Sequence, residues 1–131
     1  MGRTAYASPD LVSEAAEFAT DAGRLGLARL LDGPDPPTAV FVAGETLVLG
    51  AIQEAKSRGI AVPGDLAIAG YVDFPTAGVV DPPLTMVAAP TRRAGIQAMR
   101  TLAGLIEGKD PRPRRTVFDV ELVLRDSCGA H

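Results

Sequence analysis

Two short apolar runs on either side of a helix-like segment constrain the fold of this chain more than any other feature. The runs occupy residues 39–43 and 66–69. Continuous apolar runs of this length are typical of parallel strands that are buried on both faces. The segment at residues 46–57 has residues typical of a helix. Gly59 follows it at the position where a left-handed residue ends many helices. The stretch predicts a right-handed β-α-β unit.

The sequence on both sides of this unit predicts further helices and strands. One helix is predicted from a cap at Thr20 or Asp21 to the stop at residues 33–34, and another covers residues 91–107. Short strands are predicted at residues 11–16, 85–87 and 116–124, and poorly structured ends at residues 1–10 and from residue 126 onward. Helices that alternate with strands in this way indicate the α/β class.

Composition indicates a globular domain and argues against several kinds of site. The chain has 131 residues, of which 47% are hydrophobic and 22% charged. One cysteine, Cys128, and one histidine, His131, give no basis for a disulfide, a metal site or a histidine-based catalytic centre. The net charge of −3 argues against a nucleic-acid surface. With no membrane-length apolar run and no signal-peptide pattern, the cytoplasm is the expected location.

The helix predicted at residues 46–57 is apolar over an unusually wide arc. At about 100° per residue its apolar side chains cover roughly 200°, about twice what one sheet-facing stripe needs. These side chains are Leu47, Val48, Leu49, Ala51, Ile52 and Ala55. The excess predicts a second buried contact. Either a second copy of the chain covers the helix in a homodimer, or the short helix lies deep within its own domain.

Five spaced motifs carry a family resemblance. They are P-T-A-V-F at residues 37–41, V-P-G-D at 62–65, G-Y-V-D at 70–73, P-P-L-T-M-V at 82–87 and E-L-V-L-R-D-S at 121–127. In this order, and over residues 18–127, the chain resembles the effector domain of the lactose-repressor/galactose-repressor (LacI/GalR) family of bacterial transcription regulators. No single motif would be specific enough alone.

The resemblance implies a parallel-sheet, three-layer α/β sandwich, a partial periplasmic-binding-protein-like (type I) regulatory subdomain. Residues 1–131 would form one truncated effector-binding and dimerisation domain, and the helix-turn-helix of the family would lie upstream. DNA binding is therefore expected only through a domain absent from this chain. The helix at residues 91–107 would pack in the absent subdomain, so we expect its apolar stripe to find a substitute in a second copy.

The same resemblance implies a small-molecule pocket at the carboxyl ends of the strands. Its expected residues are Phe18, Gly44, Glu45, Val72, Asp73 and Phe74. The family usually has an acid at Val72 and often a glutamine at Ala89, so a polar effector would lose hydrogen-bond partners here. The pocket is then either retuned toward a less polar effector or no longer used. Phe18 is alternatively a core residue, and Asp73 a loop-stabilising carboxylate.

The resemblance also places a dimer interface at Val48, Leu49, Ile52, Val79 and Val80. The predicted function is an effector-sensing and dimerisation domain for a sugar- or nucleoside-like molecule, or alternatively a ligand-free self-association module. No cofactor is expected. An enzyme is not expected either, because the chain has no G-x-S-x-G elbow and no histidine placed as a base. Anion binding at the turn 43–46 is disfavoured by the carboxylate of Glu45, and a transport protein by the absent signal peptide.

Overall fold

A computed structural model describes residues 9–110 and 112–130. They form a four-stranded sheet in the order β1-β2-β3-β4, in which β1, β2 and β3 are parallel and β4 is antiparallel to β3. The strands are β1 (Ala39–Ala43), β2 (Ala67–Tyr71), β3 (Thr85–Ala88) and β4 (Glu121–Val123). The mostly parallel sheet confirms the predicted α/β class.

Three α-helices accompany the sheet: α1 (Thr20–Leu31), α2 (Glu45–Ser57) and α3 (Thr91–Ile106). The β-α-β prediction is confirmed, because α2 connects the parallel strands β1 and β2. Gly59 has φ +69, and the amides of Gly59 and Ile60 donate to the carbonyls of Lys56 and Ala55. This pair of hydrogen bonds is a Schellman motif, which ends α2 as predicted.

Three local predictions are wrong. Residues 11–16 form no strand: a 3₁₀ turn at Pro9–Leu11 is followed by irregular chain. The strand predicted at residues 116–124 is reduced to β4, because the ladder with β3 spans only Met86 to Ala88 and residues 116–120 have no strand beside them. The tail is not frayed either, since a second 3₁₀ turn at Asp126–Cys128 packs against the sheet.

Helix α2 packs against both α1 and the sheet. Its side of the core contains Val48, Ala51, Ile52 and Ala55. These residues cluster with Ile68 and Met86 from the strands and with Leu84 just before β3. The helices α1 and α2 approach closely: a Cβ on Gly50 would lie 2.0 Å from the carbonyl oxygen of Thr20. Helix α1 of the same chain therefore supplies the second buried contact that the wide apolar arc of α2 predicts.

Ion pairs hold the ends of α1 and α2 together. Arg58, which caps α2, donates to Asp32 at 2.6 Å and to Glu54 at 2.8 Å, and Arg24 of α1 lies 3.5 Å from Glu54. Hydrogen bonds from Arg58 are the main cause that lowers the pKa of both carboxyl groups and raises that of Arg58. The network fixes the relative position of the two helices at the surface.

The C-terminal 3₁₀ turn lies on the other side of the sheet from α2. Successive side chains of a strand point to opposite faces of the sheet. Met86 of β3 points into the core beside α2, and the hydroxyl of Thr85 donates to the carbonyl of Arg125 at 2.8 Å on the opposite face. The buried hydroxyl of Ser127 accepts from the Thr85 amide at 2.9 Å and donates to the Ile68 carbonyl at 2.6 Å. In the described part of the chain, this turn forms the third layer of the predicted sandwich.

Helix α3 has no buried residue. Its apolar side chains are exposed: Ile96, Met99, Leu102, Leu105 and Ile106. The described residues leave this stripe uncovered, and a second copy as its partner stays a prediction. The described residues contain no helix that is both long and apolar enough to cross a membrane.

Candidate functional site

The carboxyl ends of β1 and β2 lie side by side, with Ala43 opposite Tyr71 in the parallel register. Gly44 and Val72 follow these residues directly, so the chain leaves both strands at the same edge of the sheet. Open parallel sheets bind ligands at this edge. The structure therefore brings together two of the residues predicted for the pocket.

Phe18 lies against Gly44. A Cβ on Gly44 would stand 3.0 Å from Cδ1 of the Phe18 ring, and Gly44 has φ +134, so a side chain here would meet both the ring and backbone strain. Phe18 as a whole is 77% exposed. Phe18 is therefore not a core residue, and it presents an aromatic face to solvent beside the strand ends.

Val72 adopts a left-handed backbone conformation, with φ +69. Its amide and that of Asp73 both donate to the carbonyl of Val87, at 2.9 and 3.1 Å, which holds the chain in this turn. A β-branched residue at positive φ is an outlier that costs on the order of 1–3 kcal/mol, and such strain clusters at functional sites. The strain makes Val72 a stronger site candidate than its apolar side chain alone suggests.

Asp73 uses both carboxylate oxygens to bind Arg125. The two bonds are each 2.9 Å, and the same guanidinium donates to the carbonyl of Leu84 at 2.6 Å. The hydrogen bonds with Arg125 are the main cause that lowers the pKa of Asp73 and raises that of Arg125, against the opposing effect of burial. This geometry favours the loop-stabilising role of Asp73, because its oxygens are already occupied.

The other two predicted pocket residues lie in different surroundings. Phe74 is buried in the core with Ala77, so its ring is turned away from solvent. Glu45 is the exposed first residue of α2 and follows Gly44 directly. Phe18 and Glu45 therefore form the exposed part of the candidate site, and Gly44 and Val72 are half-buried beside them. No group of three His, Cys, Asp or Glu side chains in the described residues could hold a metal ion.

A cleft of about 440 Å³ continues from Phe18 between the irregular chain at residues 13–18, helix α1 and strand β1. Its lining is mainly apolar and includes Leu27, Leu30 and the strand residues 40–43. Glu14 and Glu17 line it as well. The cleft therefore follows the outer edge of the sheet rather than the strand ends alone.

Comparison with known proteins identifies the family. The family described as the periplasmic binding protein-like domain matches residues 3–128. The chain belongs to this family. This chain is 38% identical over 114 residues to the HTH-type transcriptional repressor CytR of Escherichia coli. It is 36% identical over 110 residues to the ribose operon repressor of Haemophilus influenzae. These matches cover 87% and 84% of this chain but 33% of each relative.

Solved structures agree with this assignment. A LacI family transcriptional regulator from Mycobacterium smegmatis superposes with a TM-score of 0.80 at 31% identity, over 92% of this chain and 45% of that chain. A complex of the transcriptional regulator CelR with cellobiose gives a TM-score of 0.76 at 36% identity, over 85% and 34% of the two chains. The resemblance to LacI/GalR regulators is confirmed, and the chain spans about a third of the length of the curated relatives.

The residues predicted for a dimer interface of the periplasmic binding protein-like domain differ in accessibility. Val48 and Ile52 are 0% and 4% exposed within a single copy, so a partner cannot touch them directly. Leu49 and Val80 are partly buried at the margin of the core, and Val79 is exposed. An ion pair of 3.6 Å between Lys56 and Asp81 joins α2 to the loop that carries these valines. A dimer surface here would therefore consist of Leu49, Val79 and Val80.

Two features of the domain were not predicted from the sequence. Arg125 was noted only as part of the closing motif, although a lone basic residue between strand and tail was a signal for a carboxylate partner. The edge position of β1 had no signal, because an apolar run on an edge strand does not differ from one inside the sheet. Phe41 of this run is 61% exposed.

Proposed function

We propose that this chain is the effector-sensing and dimerisation domain of a LacI-family transcription regulator. The observation that carries the proposal is the exposed ring of Phe18 against Gly44 at the carboxyl ends of two parallel strands. The relatives support it: they are transcriptional regulators, and one neighbouring structure holds cellobiose. As part of such a regulator the domain would work in the cytoplasm and would catalyse no reaction.

The site favours a sugar- or nucleoside-like effector with one apolar side. The Phe18 ring offers a flat surface on which a sugar or base can stack. Glu45 offers carboxylate oxygens as hydrogen-bond acceptors, whereas Val72 offers none. We therefore expect hydroxyl groups toward Glu45 and an apolar edge of the effector toward Val72. Asp73 supports the loop through Arg125 rather than contacting the effector.

Regulation would arise from coupling between this site and DNA bound elsewhere in the protein. An effector shifts DNA affinity only if it binds two states of the regulator with different affinity. DNA would be contacted by a helix-turn-helix outside these 131 residues. Two copies would pair through Leu49, Val79 and Val80, with Val48 and Ile52 supporting that surface from beneath.

A thermal-shift screen tests the sensing role. Ribose, cellobiose, adenosine and cytidine would each be added at millimolar concentration, and one chemical class is expected to raise Tm by several degrees, about 2.7 kcal/mol of stabilisation at a hundredfold excess over Kd. Phe18→Ala should abolish the rise. Phe118→Ala is the matched control, because Phe118 lies instead beneath Arg93, 5.7 Å from its guanidinium. A rise that survives Phe18→Ala contradicts the proposed site.

A ligand-free self-association module is the second candidate. Two observations favour it: Val72 lacks an acceptor where the related regulators are expected to have an acid, and α3 exposes five large apolar side chains. This candidate predicts no Tm rise with any compound and a concentration-dependent dimer in light scattering. A monomer that responds to a sugar would exclude it.

A further inference from the structure

One arginine holds both ends of the loop at residues 72–84, which leads from β2 to β3. At the start of the loop, the guanidinium of Arg125 donates two hydrogen bonds of 2.9 Å to the carboxylate of Asp73. At its end, the same guanidinium donates to the carbonyl of Leu84 at 2.6 Å. The backbone of Arg125 is fixed in turn, because its amide donates to the hydroxyl of Thr85 at 2.9 Å. A planar guanidinium with five donors suits such a shared contact.

The middle of this loop also lies against Arg125. A Cβ on Gly78 would stand 3.7 Å from Nε of Arg125, which is an ordinary contact distance. The amide of Leu84 donates to the carbonyl of Ala77 at 2.8 Å and closes the loop, and both Ala77 and Phe74 are buried in the core. Because tightly packed residues transmit displacements to one another, a movement at one end of the loop reaches the rest of it.

The same loop carries residues of two different surfaces. Val72, which is strained at φ +69, lies at its start beside the candidate effector site. Val79 and Val80, which belong to the surface proposed for pairing, lie in its middle, and Val79 is 81% exposed. Arg125 contacts the residue after Val72 and the residue before Val79. It therefore lies between the two surfaces.

We propose that Arg125 is a positioning residue that couples the effector site to the pairing surface. Its side chain is 21% exposed, so it acts through the loop that it holds rather than as a contact of the effector or of a second copy. A change in the turn at Val72 moves Val79 and Val80 because one guanidinium ties the loop together. The coupling is reciprocal, so pairing changes effector affinity by the same factor as the effector changes pairing. The inference rests on the proposed function for what the two surfaces bind.

Methyl NMR on the full chain with isotope-labelled valine tests this coupling without effector. Val72→Gly removes the side chain and the strain of the turn, because glycine adopts positive φ freely. In the parent, this substitution should shift the methyl signals of Val79 and Val80. In Arg125→Gln an amide replaces the guanidinium and cannot hold both ends of the loop, so the same substitution should leave the two signals unmoved.

Arg58→Gln is the matched control, because Arg58 makes comparable bonds to Asp32 and Glu54 between α1 and α2. In this background Val72→Gly should shift the two valine signals as it does in the parent. If Arg125→Gln does not fold, Asp73→Asn serves instead, since it weakens the same contact from the other side. The absence of a shift in the parent, or equal shifts with and without the contact to Arg125, would overturn the proposal.

The NMR result is independent of the thermal-shift screen, so the two proposals fail separately. Valine signals that respond only when Arg125 is present, together with no Tm rise for any compound, would support the coupling and reject the sensing role. A Tm rise that is lost in Phe18→Ala, together with valine signals that do not depend on Arg125, would support sensing and overturn the coupling.

Discussion

Helices α2 and α3 have similar apolar content but opposite environments. Helix α2 buries five residues against α1 and the sheet, whereas α3 buries none and exposes its whole apolar stripe. The same periodicity therefore predicts both helices correctly without telling whether the covering surface belongs to the same chain. The hydrophobic pattern predicts that one face of a helix is covered by another surface. Only the arrangement of the other helices and strands shows which surface covers it.

Truncating one isoleucine in each helix gives the largest expected difference. Ile52→Ala in α2 removes a side chain that is 4% exposed and should lower the free energy of unfolding by about 3 kcal/mol. Ile106→Ala in α3 removes one that is 79% exposed and should change it by less than about 0.5 kcal/mol. Urea titrations followed by circular dichroism measure both values.

The protein concentration provides the control for this pair. At micromolar concentration Ile106→Ala should be neutral, and a cost that appears only as the concentration rises would show that a second copy covers α3. If Ile106→Ala costs as much as Ile52→Ala at the lowest concentration, α3 is packed within one chain and the contrast between the helices fails.

Replacing a glycine by alanine in each helix gives the next largest change in stability, with opposite signs in the two helices. Gly50→Ala would place its Cβ 2.0 Å from the Thr20 carbonyl oxygen, where backbone must move, and should destabilise the fold by about 2 kcal/mol. Gly95→Ala meets no atom within 4 Å in α3 and should stabilise it by roughly 0.5–1 kcal/mol. Thermal unfolding of the two variants against the parent measures both signs, and a destabilising Gly95→Ala would place a neighbour against α3.

The elements that could be predicted share a property: their signals are local. The runs at residues 39–43 and 66–69, and the left-handed Gly59, place β1, α2 and β2 to within one or two residues. The wrong strand predictions at residues 11–16 and 116–120 depend on distant parts of the chain instead. A strand forms only beside a neighbouring strand, and the length of β3 decides how much of residues 116–124 is paired.

The candidate site was predictable only through the family resemblance. Phe18 and Gly44 do meet at the strand ends, yet no spacing rule connects them. The left-handed conformation of Val72 could not be foreseen, since valine is among the residues least expected at positive φ. The role of Arg125 depended on a loop folding back over 52 residues to bring Asp73 beside it. Such contacts are set by topology rather than by local pattern.

A serine pair tests whether the C-terminal turn belongs to the packed region with α2. Ser127→Ala leaves the Thr85 amide and the Ile68 carbonyl buried without partners and should cost about 1–2 kcal/mol. Ser57→Ala removes an exposed hydroxyl that donates to the Glu54 carbonyl at 2.8 Å, and should cost less than about 0.5 kcal/mol. Equal costs in urea titrations would mean that the tail is frayed after all.

The smallest effect concerns two carboxylates that each bind arginine, one in the packed region and one beyond α3. Asp73 is partly buried with Arg125, whereas Asp110 binds Arg112 and Arg114 on an exposed loop. Because the pKa of Asp73 is lowered from 3.8, its pair contributes fully at pH values above the unfolded pKa, and the contribution is lost as the pH falls through the folded pKa. Asp73→Asn should cost about 1 kcal/mol at pH 7 and progressively less below about pH 4.

Asp110→Asn is the matched control, and the unfolding free energy of this variant should follow the parent at every pH. The measurement is a series of urea titrations from pH 7 to pH 3 on the parent and both variants. Since both sites join an aspartate to arginine, a difference between the variants reports the effect of burial and of the loop that Arg125 fixes. If the cost of Asp73→Asn does not shrink with acid, the carboxylate acts through its shape rather than its charge, and burial rather than ion pairing separates the two regions.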